Sequence, residues 1–368
     1  MAKTFDVSKF KNHLTNKLDI PVGFSDPKVW LDTGNYALNR LISGNYNGGV
    51  PLGKVTMFAG ESGSGKSLLA ASVMKSAQRE HNAFILLLDT EGAGDEVWYK
   101  NAGVNTGEDN FLRVPAFTVS NCTQVVSEFI KEFNSQGINQ PILIVIDSLG
   151  MLETESGQEK FLKGETPGDQ GQLAKQLKKF VKNCVYLVEQ KNIGFLMINH
   201  TYDSQDMFNP DQKITGGNGI IYASSIVIAT RKTKLKEKDL SNSGDDDQEV
   251  NTSTGVHGMK STCMVYKSRF NKPFEKTIIN VPWSTGIDPY SGLLDLFETD
   301  GVLTKVGNKL QYVDKNNQEH KYFRKSFPSD VLDLIMKEHP YKISREIILE
   351  ASEREKQIAE LEELEDVE

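Results

Sequence analysis

Val55-Thr56-Met57-Phe58-Ala59-Gly60-Glu61-Ser62-Gly63-Ser64-Gly65-Lys66-Ser67-Leu68-Leu69-Ala70-Ala71 changes character twice in a short span. Val55–Ala59 is apolar and β-prone and reads as a buried strand. Gly60–Ser67 fits G-x-x-x-x-G-K-[ST], the phosphate-binding loop. Leu68 onward reads as the start of a helix. Strand, loop and helix in that order are the context the motif requires. The glycines let the backbone wrap a polyphosphate and turn N–H groups toward it, and the helix N-terminus adds partial positive charge. Gly60, Glu61, Ser62, Gly63, Ser64, Gly65 and Lys66 are thus the expected cradle, with Lys66 reaching the outer phosphates. Ser67 is expected to hold Mg²⁺ through its hydroxyl. An ordinary Gly/Ser turn is the competing reading, and the flanks disfavour it.

Outward from this unit, strands and helices alternate from about residue 31 to 283. The expected strands are Val55–Ala59, Phe84–Asp89, Ile142–Asp147, Gly194–Asn199 and Ser225–Thr230. The expected helices are Ser67–Glu80, Asn121–Asn134 and Gln170–Gln190. Continuously apolar strands between helices indicate a parallel sheet covered on both faces. Residues 1–30 hold one short helical piece, Val7–Leu14, then Pro21 and Pro27. They form an arm rather than a domain. After Pro282 the pattern changes to a small α/β module, 284–345. Lys236–Thr254 is polar, carries Asp245-Asp246-Asp247 and has no periodicity, so it reads as a flexible insertion or a hairpin tip.

Composition sets the outer limits. Hydrophobic residues make up 38% and charged residues 25% of the chain, the balance of a globular protein. No apolar run approaches the roughly 20 residues of a membrane helix, and the first residues lack a signal-peptide core. Cys122, Cys184 and Cys263 are scattered without metal spacing, as expected of a chain in a reducing cytoplasm. The net charge of −8 at first argues against nucleic acid. Yet Glu346–Glu368 holds ten acidic residues against Arg354 and Lys356, so residues 1–345 are neutral overall. A basic groove on the body stays compatible with that arithmetic. A solvated helix that only aids solubility is the plain reading of 346–368.

Three further strand ends carry polar groups. Ile142–Ile146 ends in Asp147, at the carboxyl edge where open α/β sheets bind ligands. Beside a phosphate loop, Asp147 is expected to orient Mg²⁺ directly or through water. Asp89-Thr90-Glu91 ends another strand, where a carboxylate can polarise the water that attacks a γ-phosphate. By spacing alone this stands level with a surface acid at a loop start. Asn199-His200 ends a third, where hydrogen bonds could sense the γ-phosphate; a structurally satisfied histidine is the bland alternative. Two long loops are expected, Glu155–Gly171 with Lys160 and Lys163, and Thr201–Gly219 ending Gly216-Gly217-Asn218-Gly219. Loops of that length in a compact core are usually functional or disordered, and basic ones beside a nucleotide site suit a polyanionic backbone.

The ordered set Gly60–Ser67, Asp89-Thr90-Glu91, Ile144-Val145-Ile146-Asp147-Ser148, Ile198-Asn199-His200 and Thr215-Gly216-Gly217-Asn218 resembles the RecA recombinases. His200-Thr201-Tyr202, Met207-Phe208 and Gly286–Asp295 are similar to the phage branch of that family. The resemblance spans about residue 30 to the acidic tail. It implies a RecA-like P-loop NTPase core at 31–283, with a mostly parallel sheet flanked by helices. It adds an oligomerisation arm at 1–30, the small module at 284–345 and a modulatory acidic tail at 346–368. It implies ATP and Mg²⁺ as cofactors and Glu91 as the catalytic glutamate. Asp95 and Trp98 fall where the family contacts adenine, with Trp in place of the more usual Tyr. His200 stands where bacterial members carry Gln and link the γ-phosphate to a DNA loop. Residues 156–171 and 201–217 match the two DNA-binding loops, with Lys160, Lys163, Lys213, Gly216, Gly217 and Asn218 as contacts. Lys267 and Arg269 match basic residues that reach a neighbour's ATP. The 237–252 insertion departs from the family pattern.

The resemblance implies a DNA-dependent ATPase that forms filaments on single-stranded DNA and exchanges strands with a duplex. Its partners would be DNA, further copies of itself, a mediator and a single-strand-binding protein, in the cytoplasm of a phage-infected bacterial cell. A hexameric helicase shares the same core, but residues 1–30 are too few for a helicase's N-terminal domain. A non-hydrolysing assembly partner is disfavoured by Lys66, Glu91 and Asp147.

Overall fold

The computed structural model describes residues 5–18, 22, 26–92, 94–165, 170–188, 192–203, 212–236 and 255–340. Helix α1 (Val7–Leu18) comes first and buries none of its residues. Strand β1 (Trp30–Leu31) pairs antiparallel with β2 (Val50–Pro51), with α2 (Tyr36–Ser43) between them. The α2 ends are set locally. Asn35 accepts the Leu38 N–H in its side chain, and Gly44 closes the helix in the left-handed conformation.

The main body follows as β3 (Val55–Gly60), α3 (Lys66–His81), β4 (Phe84–Asp89), α4 (Glu96–Asn101), β5 (Phe111–Pro115), α5 (Val119–Ser135) and β6 (Ile142–Asp147). It continues through α6 (Glu155–Leu162), α7 (Gln170–Val188), β7 (Ile193–Asp203), β8 (Gln212–Ile214), α8 (Asn218–Ala223), β9 (Ile226–Lys236), β10 (Val256–Ser268) and β11 (Lys276–Pro282). The sheet order is β11-β10-β9-β3-β7-β6-β4-β5, with β8 paired to β7. From β9 to β5 all neighbours are parallel. β10 and β11 extend one side antiparallel.

The continuous apolar strands are explained by two cores. Phe58, Ile85, Leu87, Leu143, Val145, Leu196, Ile198, Ile226 and Ile228 enter one, with α2 and α3. Their chain neighbours Met57, Ala59, Leu86, Leu88, Ile144, Ile146, Phe195, Met197 and Val227 enter the other, with α5 and α7. Successive side chains point to opposite faces, so a strand buried on both sides has no polar alternation. The phosphate-loop strand β3 lies between β7 and β9, entirely buried.

Beyond β11, α9 (Leu293–Thr299), β12 (Thr304–Val306), β13 (Lys309–Val313), β14 (Glu319–Phe323) and α10 (Ser329–Glu338) surround a third core with a three-stranded antiparallel sheet. That core also takes Ala37 of α2 and the adjoining Tyr46. Asn35 Nδ2 donates to the carbonyls of Asp288 and Ser291 at 2.9 and 3.0 Å. Arg40 of α2 is ion-paired to Asp300.

Two expectations are corrected. Glu155–Leu162, expected as loop, is a helix, because Thr154 accepts the Gly157 N–H and caps it. The stretch from Thr201 is not all loop either. β7 runs on to Asp203 and pairs with β8 in the register Thr201↔Ile214, Tyr202↔Lys213, Asp203↔Gln212. The insertion at 237–252 and the tail at 346–368 lie outside the described residues. Among the described residues no helix is long and apolar enough to cross a membrane.

Candidate active site

Backbone geometry shapes the phosphate loop. Gly63 and Gly65 have φ of 72° and 92°, values a side chain resists. At Gly60 a Cβ would come within 2.1 Å of the Thr230 hydroxyl, so loop and β9 touch there. The loop is braced from that side. Ser64 Oγ and Thr230 Oγ1 lie 2.7 Å apart, Ser261 Oγ donates to Ser64 O at 2.8 Å, and Lys232 Nζ donates to Ser62 O at 2.6 Å. The Lys232 N–H also donates to the Glu61 carboxylate at 2.7 Å.

Lys66 is buried and donates to the Glu61 carbonyl at 2.8 Å. Burial lowers its pKa, against the pull of Asp147 and Glu91. Its ammonium therefore rests on an oxygen of its own loop, where a phosphate oxygen would be the stronger, charge-assisted partner. Ser67 Oγ donates to Asp147 Oδ2 at 2.9 Å. Burial holds the Asp147 carboxyl up to about 6, with Glu91 and Asp89 adding repulsion and the Ser67 hydrogen bond opposing them. A hydroxyl and a carboxylate together at the start of α3 are hard oxygen donors suited to Mg²⁺ beside a phosphate chain. The residues present fit ATP and Mg²⁺.

Three strand ends meet around Glu91. Its Oε1 accepts from Ser148 Oγ at 2.8 Å and lies 2.7 Å from His200 Nε2. Thr90 Oγ1 accepts from Ser148 N at 2.6 Å and donates to Ser148 O at 2.8 Å. Asp89 is buried; its Oδ1 accepts the N–H groups of Glu91 and Gly92, and its Oδ2 takes Arg113 Nε and Nη2. Ser67, Asp89, Glu91, Gly94, Trp98, Tyr99 and Asp147 enclose a cavity of about 210 Å³. Trp98 thus stands at the cavity, its ring edge-on to Tyr99 at 4.9 Å. Asp95 caps α4 by accepting the Trp98 N–H at 2.7 Å.

His200 is tied to the second loop through the main chain. Thr215 N donates to His200 O at 3.0 Å, and Asn199 Nδ2 donates to Thr215 O at 2.8 Å. Gly216 and Gly217 follow at φ of 90° and 79°, and Asn218 opens α8. Lys213, Gly217 and Asn218 are exposed. Lys160 lies on α6 and Lys163 caps its C-terminal end.

Residues 29–288 match the family described as the RecA N-terminal domain. The chain belongs to the RecA family. It is 28% identical over 272 residues to the "Recombination and repair protein" of Enterobacteria phage T4, covering 74% of this chain and 64% of that relative. It is 26% identical over 293 residues to "Protein RecA" of Clostridioides difficile (strain 630), covering 78% of this chain and 75% of that relative. It is 26% identical over 280 residues to the "Mitochondrial DNA repair protein recA homolog" of Dictyostelium discoideum, covering 75% of this chain and 56% of that relative.

Within this RecA-type core, Lys267 and Arg269 lie at and just past the end of β10. Lys267 Nζ donates to the carbonyls of Ile221, Tyr222 and Ser224 at 2.8, 2.8 and 2.6 Å. It therefore closes the C-terminal end of α8 in its own subunit, a favourable place for a cation. Arg269 is exposed.

Sequence reasoning missed several residues. Arg113 has no motif of its own, and Asp89 and Ser148 belong to motifs that do not disclose these partners. Thr230, Lys232 and Ser261 are remote in sequence from the loop they brace. Lys175, Lys178, Lys179 and Lys182 form an exposed basic face on α7. Lys178 lies against Gly219 of α8, where a Cβ would meet its Cδ at 2.7 Å. Their i, i+3, i+4, i+7 spacing was the available signal.

Proposed function

We propose that this chain is an ATP-dependent DNA strand-exchange protein. It polymerises on single-stranded DNA, pairs that strand with a homologous duplex and exchanges strands, as a Mg²⁺- and DNA-dependent ATPase. The observation that carries this reading is the double attachment of His200. Its ring holds the Glu91 carboxylate, and its carbonyl holds Thr215 at the edge of Gly216-Gly217-Asn218. One residue joins the hydrolytic carboxylate to a glycine loop suited to a polyanion. The names of the phage T4 and bacterial relatives support the same class of activity.

The residue roles follow from chemistry. Lys66 and the loop N–H groups bind the phosphates of ATP. Ser67 and Asp147 hold Mg²⁺, which when bound offsets charge on the phosphate oxygens. Glu91 orients the attacking water and accepts its proton. Asp95 and Trp98 receive the adenine. Lys213, Gly216, Gly217 and Asn218, with Lys160 and Lys163, contact DNA, and the α7 lysines extend that basic surface. Arg269 serves a neighbouring subunit's phosphates, as does Lys267 when a phosphate draws it from the α8 carbonyls, and residues 1–30 dock on an adjacent copy. Nucleotide shifts the assembly only through its different affinities for the two filament states.

Glu91→Gln tests the reading. ATP binding should persist, and DNA-stimulated turnover should fall about 10²- to 10⁴-fold. Electron microscopy of this variant with single-stranded DNA and ATP should show persistent open helical filaments. Closed rings would make the protein a helicase instead.

A further inference from the structure

We propose that Arg113 is a positioning residue for ATP hydrolysis, acting through Asp89 to fix the backbone that carries Glu91. This rests on the reading of Glu91 as the group that orients water.

Glu91 lies two residues past the end of β4, and its carboxylate is held at one oxygen by Ser148 and His200. Those bonds set the side-chain tip. The main chain beneath it is held by something else. Asp89 Oδ1 accepts the N–H groups of Glu91 and Gly92 at 3.1 and 2.7 Å. Asp89 Oδ2 faces the other way, toward Arg113 Nε at 2.9 Å and Nη2 at 2.5 Å. The two oxygens divide the work, one gripping the catalytic turn and the other gripped by a guanidinium.

The side chain of Asp89 is 4% exposed. A carboxylate that deeply buried needs hydrogen-bonding or cationic partners for both oxygens. Arg113 projects from β5, whose register places Leu87 opposite Arg113 and Asp89 opposite Pro115. A guanidinium reaches one oxygen with two N–H groups from a fixed plane, which a lysine cannot do. Without it, the Asp89 carboxylate loses the partner of its second oxygen and is free to rotate. That rotation weakens the two N–H bonds to the turn and leaves Glu91 anchored at its tip alone. A misplacement of about 1 Å can cost about 10²-fold in rate.

Turnover and nucleotide affinity of the full chain are measured with single-stranded DNA for Arg113→Ala, Arg113→Lys and Arg113→Gln, alone and in the Glu91→Gln background. Arg113→Ala should lower kcat about 10- to 100-fold while ATP affinity stays within about threefold. Arg113→Lys should recover part of the loss by keeping the charge. In the Glu91→Gln background, followed to single-turnover completion, Arg113→Ala should remove little more, because both changes act on one group. Should Arg113→Ala fail to fold, Arg113→Gln is read by the same criteria. A kcat within about twofold of the parent in a folded Arg113 variant, beside an inactive Glu91→Gln, overturns this proposal alone. An undiminished further loss in the Glu91→Gln background also overturns it. Full turnover by Glu91→Gln itself overturns the underlying reading and this proposal with it.

Discussion

On one side of the phosphate loop, the ends of β4, β6 and β7 present Asp89, Glu91, Asp147 and His200. On the other, β9 and β10 present Thr230, Lys232 and Ser261. The first side is made of ionisable groups on parallel strands, each at the carboxyl edge. The second is made chiefly of hydroxyl and backbone bonds to the loop. The first holds the groups proposed to move protons and hold a cation; the second braces the loop. The ionisable groups and the loop braces thus fall on opposite sides of β3 in the sheet.

Mutations should respect that division. The largest effect is expected from Glu91→Gln, whose rate loss of about 10²- to 10⁴-fold should come with little change in melting temperature, since the side chain is partly exposed. A large drop in stability would mean that Glu91 is structural.

Asp147→Asn comes next and separates stability from function. The folded carboxyl is held up to about 6, above its ordinary 3.8, so the folded state binds this proton more tightly than the unfolded chain does. The group therefore favours folding at low pH. That advantage is lost as pH rises from the ordinary carboxylate range through about 6. The nucleotide-free variant should be more stable than the parent at pH 7 to 8 by up to about 3 kcal/mol, with the gap closing at about pH 4 and below. It should at the same time lose Mg²⁺-dependent ATP binding. Melting curves across that pH range check the first point, and a constant gap would remove Asp147 as its cause.

Thr230→Val should cost about 1–3 kcal/mol of stability, because the buried Ser64 hydroxyl loses its partner. ATP affinity should weaken while kcat at saturation changes little. A selective loss of kcat would break the division between the flanks. The smallest effect belongs to Lys232→Ala. Its ammonium bond to Ser62 is solvent-exposed, so stability should change by less than about 1 kcal/mol, read from chemical denaturation.

The parallel half of the fold was legible because its physics is local. Phe84–Asp89 and Ile142–Asp147 are strands at the expected residues, as unbroken apolar runs buried on both faces must be. The antiparallel half was not. β7 and β9 run on past their apolar segments into Thr201–Asp203 and Arg231–Lys236, which are polar and held by pairing with β8 and β10. No periodicity announces such pairing. β5 escaped notice because an edge strand with Leu112, Arg113 and Pro115 exposed lacks both a continuous run and a clean alternation. In the site, Lys66, Ser67 and Asp147 were readable from a motif and a strand end. The Asp89–Arg113 pair was not, because it depends on the register between two strands.

The Asn35 amide reaches forward to Asp288 and Ser291, on the far side of the boundary expected near residue 284. That places a practical limit on dissection. A truncation ending at 283 would strip the cap residue of α2 of its tertiary partners and leave Ala37 and Tyr46 without the third core. A shortened protein meant to retain the nucleotide site should extend at least through Ser291.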